Sequence, residues 1–440
     1  MSELPKGWTS THLGSLSRLV MGQAPSGKDC NMDGVGTVFV KAGEFGKSKP
    51  IIREWTTSPL KFAQKGDILI CVVGATAGKI NLAIDCSIGR SVAAIRPATE
   101  IQQKYIYYFL AGQVENLRKG STGSAQGVIS KPDLVGIAIP LAPATEQIRI
   151  AQKLDELLAQ IDTLKARIDA IPALLKRFRQ SVLAAAVSGR LTAEWRALAN
   201  ASAGEEQSVA WQPTPLPLLG ELARGKSKHR PRNDKRLFGD KHPFIQTGEI
   251  ANSAGRIKTA KIFYSDFGLA QSRLFPKDTL CITIAANIAD TATLDIEACF
   301  PDSVVGFIAN REKCCPKFVK YLIDVNKQNL EAFAPATAQK NINLKVLSEL
   351  AFPMPPLAEQ TEIVRRVEQL FIFADQLEAK VASAKSRIDH LTQSILAKAF
   401  RGELVPQDPS DEPASVLLER IQAQRAAAPK AKRGRKVSTR

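Results

Sequence analysis

The chain has little of what most enzymes need. Its seven cysteines (Cys30, Cys71, Cys86, Cys281, Cys299, Cys314 and Cys315) include no C-x-x-C pair. An odd count without metal-ligand spacing fits reduced thiols and argues against a zinc site. The four histidines (His12, His229, His242, His390) are scattered and form no triad or metal spacing. No G-x-S-x-G, no H-E-x-x-H, no N-P-P-Y type motif of amino-methyltransferases and no Gly-rich strand-to-helix turn is present. Gly74-Ala75-Thr76-Ala77-Gly78-Lys79 resembles a phosphate loop for a moment. It has one residue too few between the glycines, and Ile80 stands where Ser or Thr would hold a magnesium ion. No apolar run reaches the roughly 18 residues that span a bilayer, so no membrane partner is expected. The longest runs, Ile68–Gly78 and Thr279–Ala289, read as buried strands. The polar opening Met1-Ser2-Glu3-Leu4-Pro5-Lys6 lacks the apolar core of a secretory signal, so a cytoplasmic location is expected.

What is present is positive charge and repetition. Lys and Arg number 60 against 43 Asp and Glu, a net charge of +17. A surplus of that size suits a polyanion, and nucleic acid is the first candidate. Residues 125–191 match 338–404 at a constant offset of 213 without a gap. Matched pairs include Pro143/Pro356, Glu146/Glu359, Gln147/Gln360 and Asp162/Asp375, and Gly189 falls on Gly402. Upstream the likeness continues in islands, such as Phe39–Glu44 with Phe244–Glu249 and Leu13–Leu16 with Leu219–Leu222. The chain therefore reads as module, helix, module, helix.

The helices keep one period. Ile150, Leu154, Leu157, Ile161, Leu164 and Ile168 recur in steps of four and three, and so do Ile363, Val367, Leu370, Ala374, Leu377, Val381, Ala384, Ile388 and Leu391. That is a heptad seam, the mark of a helix packed along its length on another. Residues 146–187 as helix would extend roughly 60 Å. The two seams are expected to pack antiparallel on each other, and Pro172, whose equivalent is Lys385, is expected to kink or break the first helix.

The modules read as mixed α/β. Strands are predicted at Thr37–Lys41, Asp67–Val73, Ser91–Arg96 and Gly136–Pro140, with counterparts at Pro243–Gln246, Thr279–Ile284, Ser303–Ile308 and Leu350–Pro353. One helix is predicted in each, Gln102–Leu117 and Pro316–Ala332. The fold class is α+β: two recognition modules in pseudo-two-fold tandem, separated by two long antiparallel coiled-coil helices. The expected boundaries are module 1 at 1–144, helix 145–191, linker 192–214, module 2 at 215–357, helix 358–404, and 405–440 for a short helix and a basic disordered tail. That helix, Pro413–Ala427, would pack through Val416, Leu417 and Ile421, and the tail carries Lys430, Lys432, Arg433, Arg435, Lys436 and Arg440.

The modules diverge most in their loops, and loops on a rigid frame are where recognition usually sits. Candidates to reach bases or phosphates are Lys79, Arg90, Lys119, Thr122, Gln126, Arg256, Lys258, Lys340 and Asn341. The stretch Ala223–Lys241 holds eight cations and is expected to stay mobile until phosphate neutralises it.

Several of these residues carry a family resemblance. They are the opening Leu4-Pro5-Lys6-Gly7-Trp8, the helix starts Pro140–Gln147 and Pro353–Gln360, and the helix-end runs Leu174–Leu183 and Gly402-Glu403-Leu404. In them the chain resembles the specificity subunit of Type I restriction–modification systems, over nearly its whole length. The resemblance implies two target recognition domains, a bipartite asymmetric DNA target, and helices that set the gap and dock two methyltransferase subunits. It places S-adenosylmethionine, ATP and Mg in partner subunits, with restriction/translocase subunits joining, and no cofactor or catalytic centre in this chain. A self-sufficient DNA methyltransferase or nuclease, or a coiled-coil scaffold without a DNA role, are the competing readings.

Overall fold

The computed structural model describes residues 4–120, 127–203, 210–285, 288–332, 342 and 344–427. The chain divides into two units, 1–169 with 383–440, and 170–382. The division runs through both long helices, Ala144–Val187 and Leu357–Ala399.

Unit 1 is built on an antiparallel sheet in the order Ser17–Met21, Val92–Pro97, Ile68–Cys71, Ile80–Leu82. Its central strand is apolar throughout because both faces are covered. Ile68 and Ile70 enter one core with Tyr105, Ile106 and Leu110 of the helix Gln103–Gly120. Leu69 and Cys71 point the other way, into a core shared with Val40 and Ile88. Successive side chains leave a strand on opposite faces, so one buried strand serves two cores. Val40 and Ile88 belong to a second sheet in the order Cys30–Asn31, Trp55–Thr56, Thr37–Val40, Cys86–Ile88, Phe62–Ala63. Its Thr37–Val40 and Cys86–Ile88 strands run parallel. A short ladder, Thr9–His12 with Ala138–Leu141, ends at the entry of the long helix.

Unit 2 repeats the plan. Its first sheet runs Gly220–Arg224, Val304–Ala309, Leu280–Thr283, Thr291–Leu294, Arg256–Ile257. Leu280 and Ile282 face one core and Cys281 the other. The second sheet runs Ile262–Tyr264, Phe238–Phe244, Ala298–Cys299, Leu274–Phe275, with one parallel pair between Phe238–Phe244 and Ala298–Cys299. The entry ladder is Gln212–Pro215 with Ala351–Met354. The predicted Pro316–Ala332 helix is two, Pro316–Val325 and Lys327–Ala332, with Asn326 capping the first. The expected linker contains the helix Ala193–Ala203.

The long helices pack antiparallel within each unit. In unit 1, Lys165 pairs with Asp389 at 2.7 Å and Asp169 with Lys385 at 2.7 Å, so one number falls as the other rises. In unit 2, Arg179 pairs with Asp375 at 2.6 Å and with Glu378 at 2.9 Å. These pairs are exposed and act more on register than on stability. Of the seam, Ile150, Leu154, Ile161, Ile363 and Val367 are buried, and Leu157, Ile168, Leu370, Leu377, Val381 and Ile388 are half-buried.

Two expectations are corrected. Leu164 and Leu391 are 47% and 48% exposed, so these two seam positions are not enclosed. Of the kink or break expected at Pro172, the break does not occur, and the helix continues to Val187. Pro removes one helix donor, and the packed turns on both sides hold the remaining ladder. At the C-terminus the helix Ala414–Ala427 buries Ala414, Leu417 and Ile421 against unit 1, while Val416 points outward. The basic tail beyond it lies outside the described residues.

Candidate nucleic-acid interface

Each long helix starts from a buried polar node, and the two nodes are copies. Gln147 and Gln360 are fully buried. The Gln147 amide donates to the Ala142 carbonyl at 2.8 Å, and its carbonyl oxygen accepts from the Gln102 N–H at 3.1 Å. Gln360 does the same with Pro355 at 2.8 Å and Cys315 at 2.8 Å. Each node therefore ties the helix start to the preceding turn and to the start of the module's own helix. Beside them Trp8 Nε1 donates to Glu146 at 2.9 Å, and Trp211 Nε1 donates to Glu359 at 3.1 Å. Glu359 also accepts from Thr192 at 2.7 Å and from the Arg196 guanidinium at 2.6 Å. Among the described residues no cation forms an ion pair with Glu146. Its Oε1 is buried without a partner, and burial raises its pKa above the usual carboxylate range. Gln147 and Glu146 were visible as repeat identities; what they hold was not.

The repeated hexapeptides Phe39–Glu44 and Phe244–Glu249 are turns of one design. The carboxylate of Glu44 accepts from the Lys41 N–H at 2.8 Å, and that of Glu249 from the Gln246 N–H at 3.0 Å. The glutamate recurs because it closes a capping box. Beyond these turns the modules part company, and the surfaces they carry differ.

The candidate contact residues fall unevenly. Lys79 is half-buried, and its ammonium donates to the Phe45 carbonyl at 2.8 Å, so it braces the module from inside. The loop before it offers no phosphate cradle, since the N–H groups of Ala77, Gly78 and Lys79 donate to Gly74, Cys71 and Thr76. Arg90 is exposed at the turn following Cys86–Ile88. Arg256 and Lys258 are both exposed and share a cleft of about 750 Å³ with Gln246, Glu249, Asn252 and Lys261. Arg256 is clamped to Asp295 at 2.6 and 3.2 Å, which holds the aspartate below its usual range. Lys119 ends a helix but its side chain lies outside the described residues, as do Thr122, Gln126, Lys340 and Asn341.

The basic stretch Ala223–Lys241 follows a path fixed by strand, turn and side-chain bonds. His229 meets Asp234 at 2.7 Å, and the Asp234 carboxylate caps the turn Lys235–Leu237 through the Arg236 N–H at 3.0 Å. The Arg236 guanidinium lies 5.2 Å from the Phe267 ring centroid. Arg232 reaches Asp302 at 3.2 Å, and Lys241 pairs with Asp266. Acids from distant loops, invisible as partners in the sequence, give the stretch its path.

Among the described residues no group of His, Cys, Asp and Glu could hold a metal, and no helix is long and apolar enough to cross a membrane. Burial pushes the thiols of Cys71, Cys86 and Cys314 up to about 11, 12 and 12, far from the range of a nucleophile.

Two copies of one α/β recognition frame, each leading into a long helix and differing in the loops it displays, define a tandem specificity protein. The chain belongs to the Type I restriction modification DNA specificity domain family, whose model matches residues 5–173 and 216–383. It is 31% identical to the Type I restriction enzyme StySPI specificity subunit of Salmonella potsdam, over 99% of each chain. It is 30% identical to the EcoKI specificity subunit of Escherichia coli K12, again over 99% of each. The crystal structure of the HsdS subunit from Thermoanaerobacter tengcongensis shares the fold, with a TM-score of 0.60 at 19% identity over 91% of this chain and 98% of that one. A chain from a study of type I R-M complex assembly and conformational transition gives 0.66 at 18% identity, covering 92% and 100%.

Proposed function

We propose that this chain reads DNA for a type I restriction–modification complex, with each module reading one half of a bipartite asymmetric target. The observation that carries the proposal is the contrast between the two halves of the repeat. The helix starts at Gln147 and Gln360 repeat bond for bond, whereas the displayed loops differ. A fixed frame with two different reading surfaces suits an asymmetric target read by one polypeptide. The long helices set the gap between half-sites and dock two modification subunits. Methylation from S-adenosylmethionine, and ATP- and Mg-dependent translocation and cleavage, belong to partner subunits, and the chain acts in the cytoplasm without catalysing a reaction itself.

Methylome sequencing of a cell expressing the complete system tests the reading. A bipartite motif with a constant gap is expected. Exchange of residues 1–140 for another module should change one half-site only, and a change in both would overturn independent reading. Insertion of residues after Pro143 or Pro356 should lengthen the gap and leave the bases unchanged. Methyl transfer by the purified chain alone, given methyl donor and DNA, would replace this reading with that of a self-sufficient methyltransferase.

A further inference from the structure

The two modules differ most in charge at one equivalent place, the connection from the first strand of the main sheet to the strand carrying Phe39 or Phe244. In unit 1 this is the stretch 22–36, with a single cation, Lys28, and two acids, Asp29 and Asp33. In unit 2 it is 225–237, with six cations (Lys226, Lys228, Arg230, Arg232, Lys235 and Arg236) and one acid, Asp234.

The unit 2 stretch is pinned along its length. Its first residue, Gly225, donates to the Val304 carbonyl at 2.8 Å, and a Cβ there would sit 2.3 Å from the carbonyl oxygens of Phe300 and Pro301. The Lys226 carbonyl accepts from the Ser272 hydroxyl at 3.0 Å, and the Lys228 N–H donates to Gln271 at 3.3 Å. The Arg236 carbonyl accepts from the Ser265 hydroxyl at 2.5 Å. Arg232 and Arg236 are committed to Asp302 and Asp234. Lys226, Lys228, Arg230 and Lys235 are exposed and make no ion pair among the described residues; Arg230 donates only to the carbonyls of Ser227 and His229, at 2.7 and 2.9 Å.

Four unneutralised cations on a braced loop repel one another, and the fold spends its nearby acids on shaping the loop. A polyanion relieves that repulsion and finds the loop already ordered, which lowers the entropy lost on binding. We propose that the 225–237 arm is the phosphate anchor of this chain, so that module 2 holds the DNA backbone far more strongly than module 1 does. The proposal rests on the DNA-reading function above. Lopsided anchoring gives the protein an order of events: module 2 engages the duplex through its backbone, and module 1 reads the neighbouring half-site from that tether.

The test is the salt dependence of binding by the full-length chain, with its partner subunits where it co-purifies with them, to a duplex of unrelated sequence. Each phosphate contact contributes about 0.9 to the slope of log K against log salt. The quadruple variant K226A/K228A/R230A/K235A is expected to lower the slope by about 3.6, so that the wild type's extra loss of affinity from about 50 to about 200 mM salt is roughly 150-fold. The charge-preserving K226R/K228R/R230K/K235R should keep the wild-type slope, which separates charge from folding. K28A in module 1 should change it by no more than about 1. A steep wild type with an unchanged quadruple variant would overturn the anchor and leave the DNA reading standing. A K28A effect as large as the quadruple would overturn the asymmetry. A flat wild type would overturn the DNA reading itself.

Discussion

Glu146 and Glu359 occupy the same place in the repeat, and the same substitution should act on them differently. In Glu359→Gln the carboxylate facing Arg196 is lost. That guanidinium is 28% exposed and keeps the Gly189 carbonyl, at 2.8 Å, and the Trp211 ring, 5.6 Å from its centroid. Breaking a fully buried pair costs about 3–5 kcal/mol. Here partial exposure of Arg196, and the oxygen that Gln still offers to Trp211 or Thr192, reduce this to about 2 kcal/mol. In a unit of this size that is a fall in melting temperature of about 4–8 °C. Glu146→Gln removes a buried charge that only Trp8 hydrogen-bonds. The relief is offset by the lost attraction of a carboxylate to a helix N-terminus, about 0.3–1 kcal/mol, so the net change should stay within about 1 kcal/mol.

The pH response separates the two further. Burial raises the pKa of Glu146 from its ordinary 4.5, so the folded state binds its proton more tightly than the unfolded state does. Stability from this group is present at low pH and is lost as pH rises from about 4.5 through the folded value. Glu146→Gln should remove that fall. Hydrogen exchange read by mass spectrometry on peptides over 144–154 and 357–367, starting below about pH 4.5 and ending near neutrality, reports each unit separately. Equal losses of protection from the two substitutions, or a pH response unchanged by Glu146→Gln, would refute this account of the nodes.

Three other outcomes are expected. Pro172→Ala restores a helix donor in the middle of Ala144–Val187 and should stabilise the chain by about 1–3 kcal/mol, seen as a higher melting temperature. Gly306→Ala would place a Cβ 2.6 Å from the Phe275 ring and 2.9 Å from the Phe300 ring, which stack at 4.0 Å in the core. It should destabilise unit 2 by about 1–3 kcal/mol in denaturant unfolding. Asp411→Asn weakens the bond to Arg149, 2.6 Å away, and the contact with the Thr145 hydroxyl. Because Arg149 is about one-third exposed, the cost should be near 1 kcal/mol, with faster proteolysis between residues 401 and 427 as the readout.

The parts of the fold that were legible in the sequence are those set by local period or by repetition. A short continuous apolar run explains why Ile68–Cys71 and Leu280–Thr283 read as buried strands, and a step of three or four explains the long helices. The offset of 213 pairs Gln147 with Gln360 from sequence alone. The split of Pro316–Ala332 at Asn326 and the persistence of the helix through Pro172 were not legible, because packing against the rest of the unit overrode local preference.

The interface divides in the same way. By itself the sequence determined the duplication, the charge surplus, the helix periods and which loops differ, since each is a property of residues close together or compared at a constant offset. Only the tertiary structure decided which cations are available. Lys79 turns inward to Phe45, Arg256 is clamped by Asp295, and Arg232 is held by Asp302, while Lys226, Lys228, Arg230 and Lys235 face solvent with no acid paired to them among the described residues. A cation's freedom depends on acids and carbonyls that lie tens of residues away along the chain and within 4 Å in space. No local pattern records that distance.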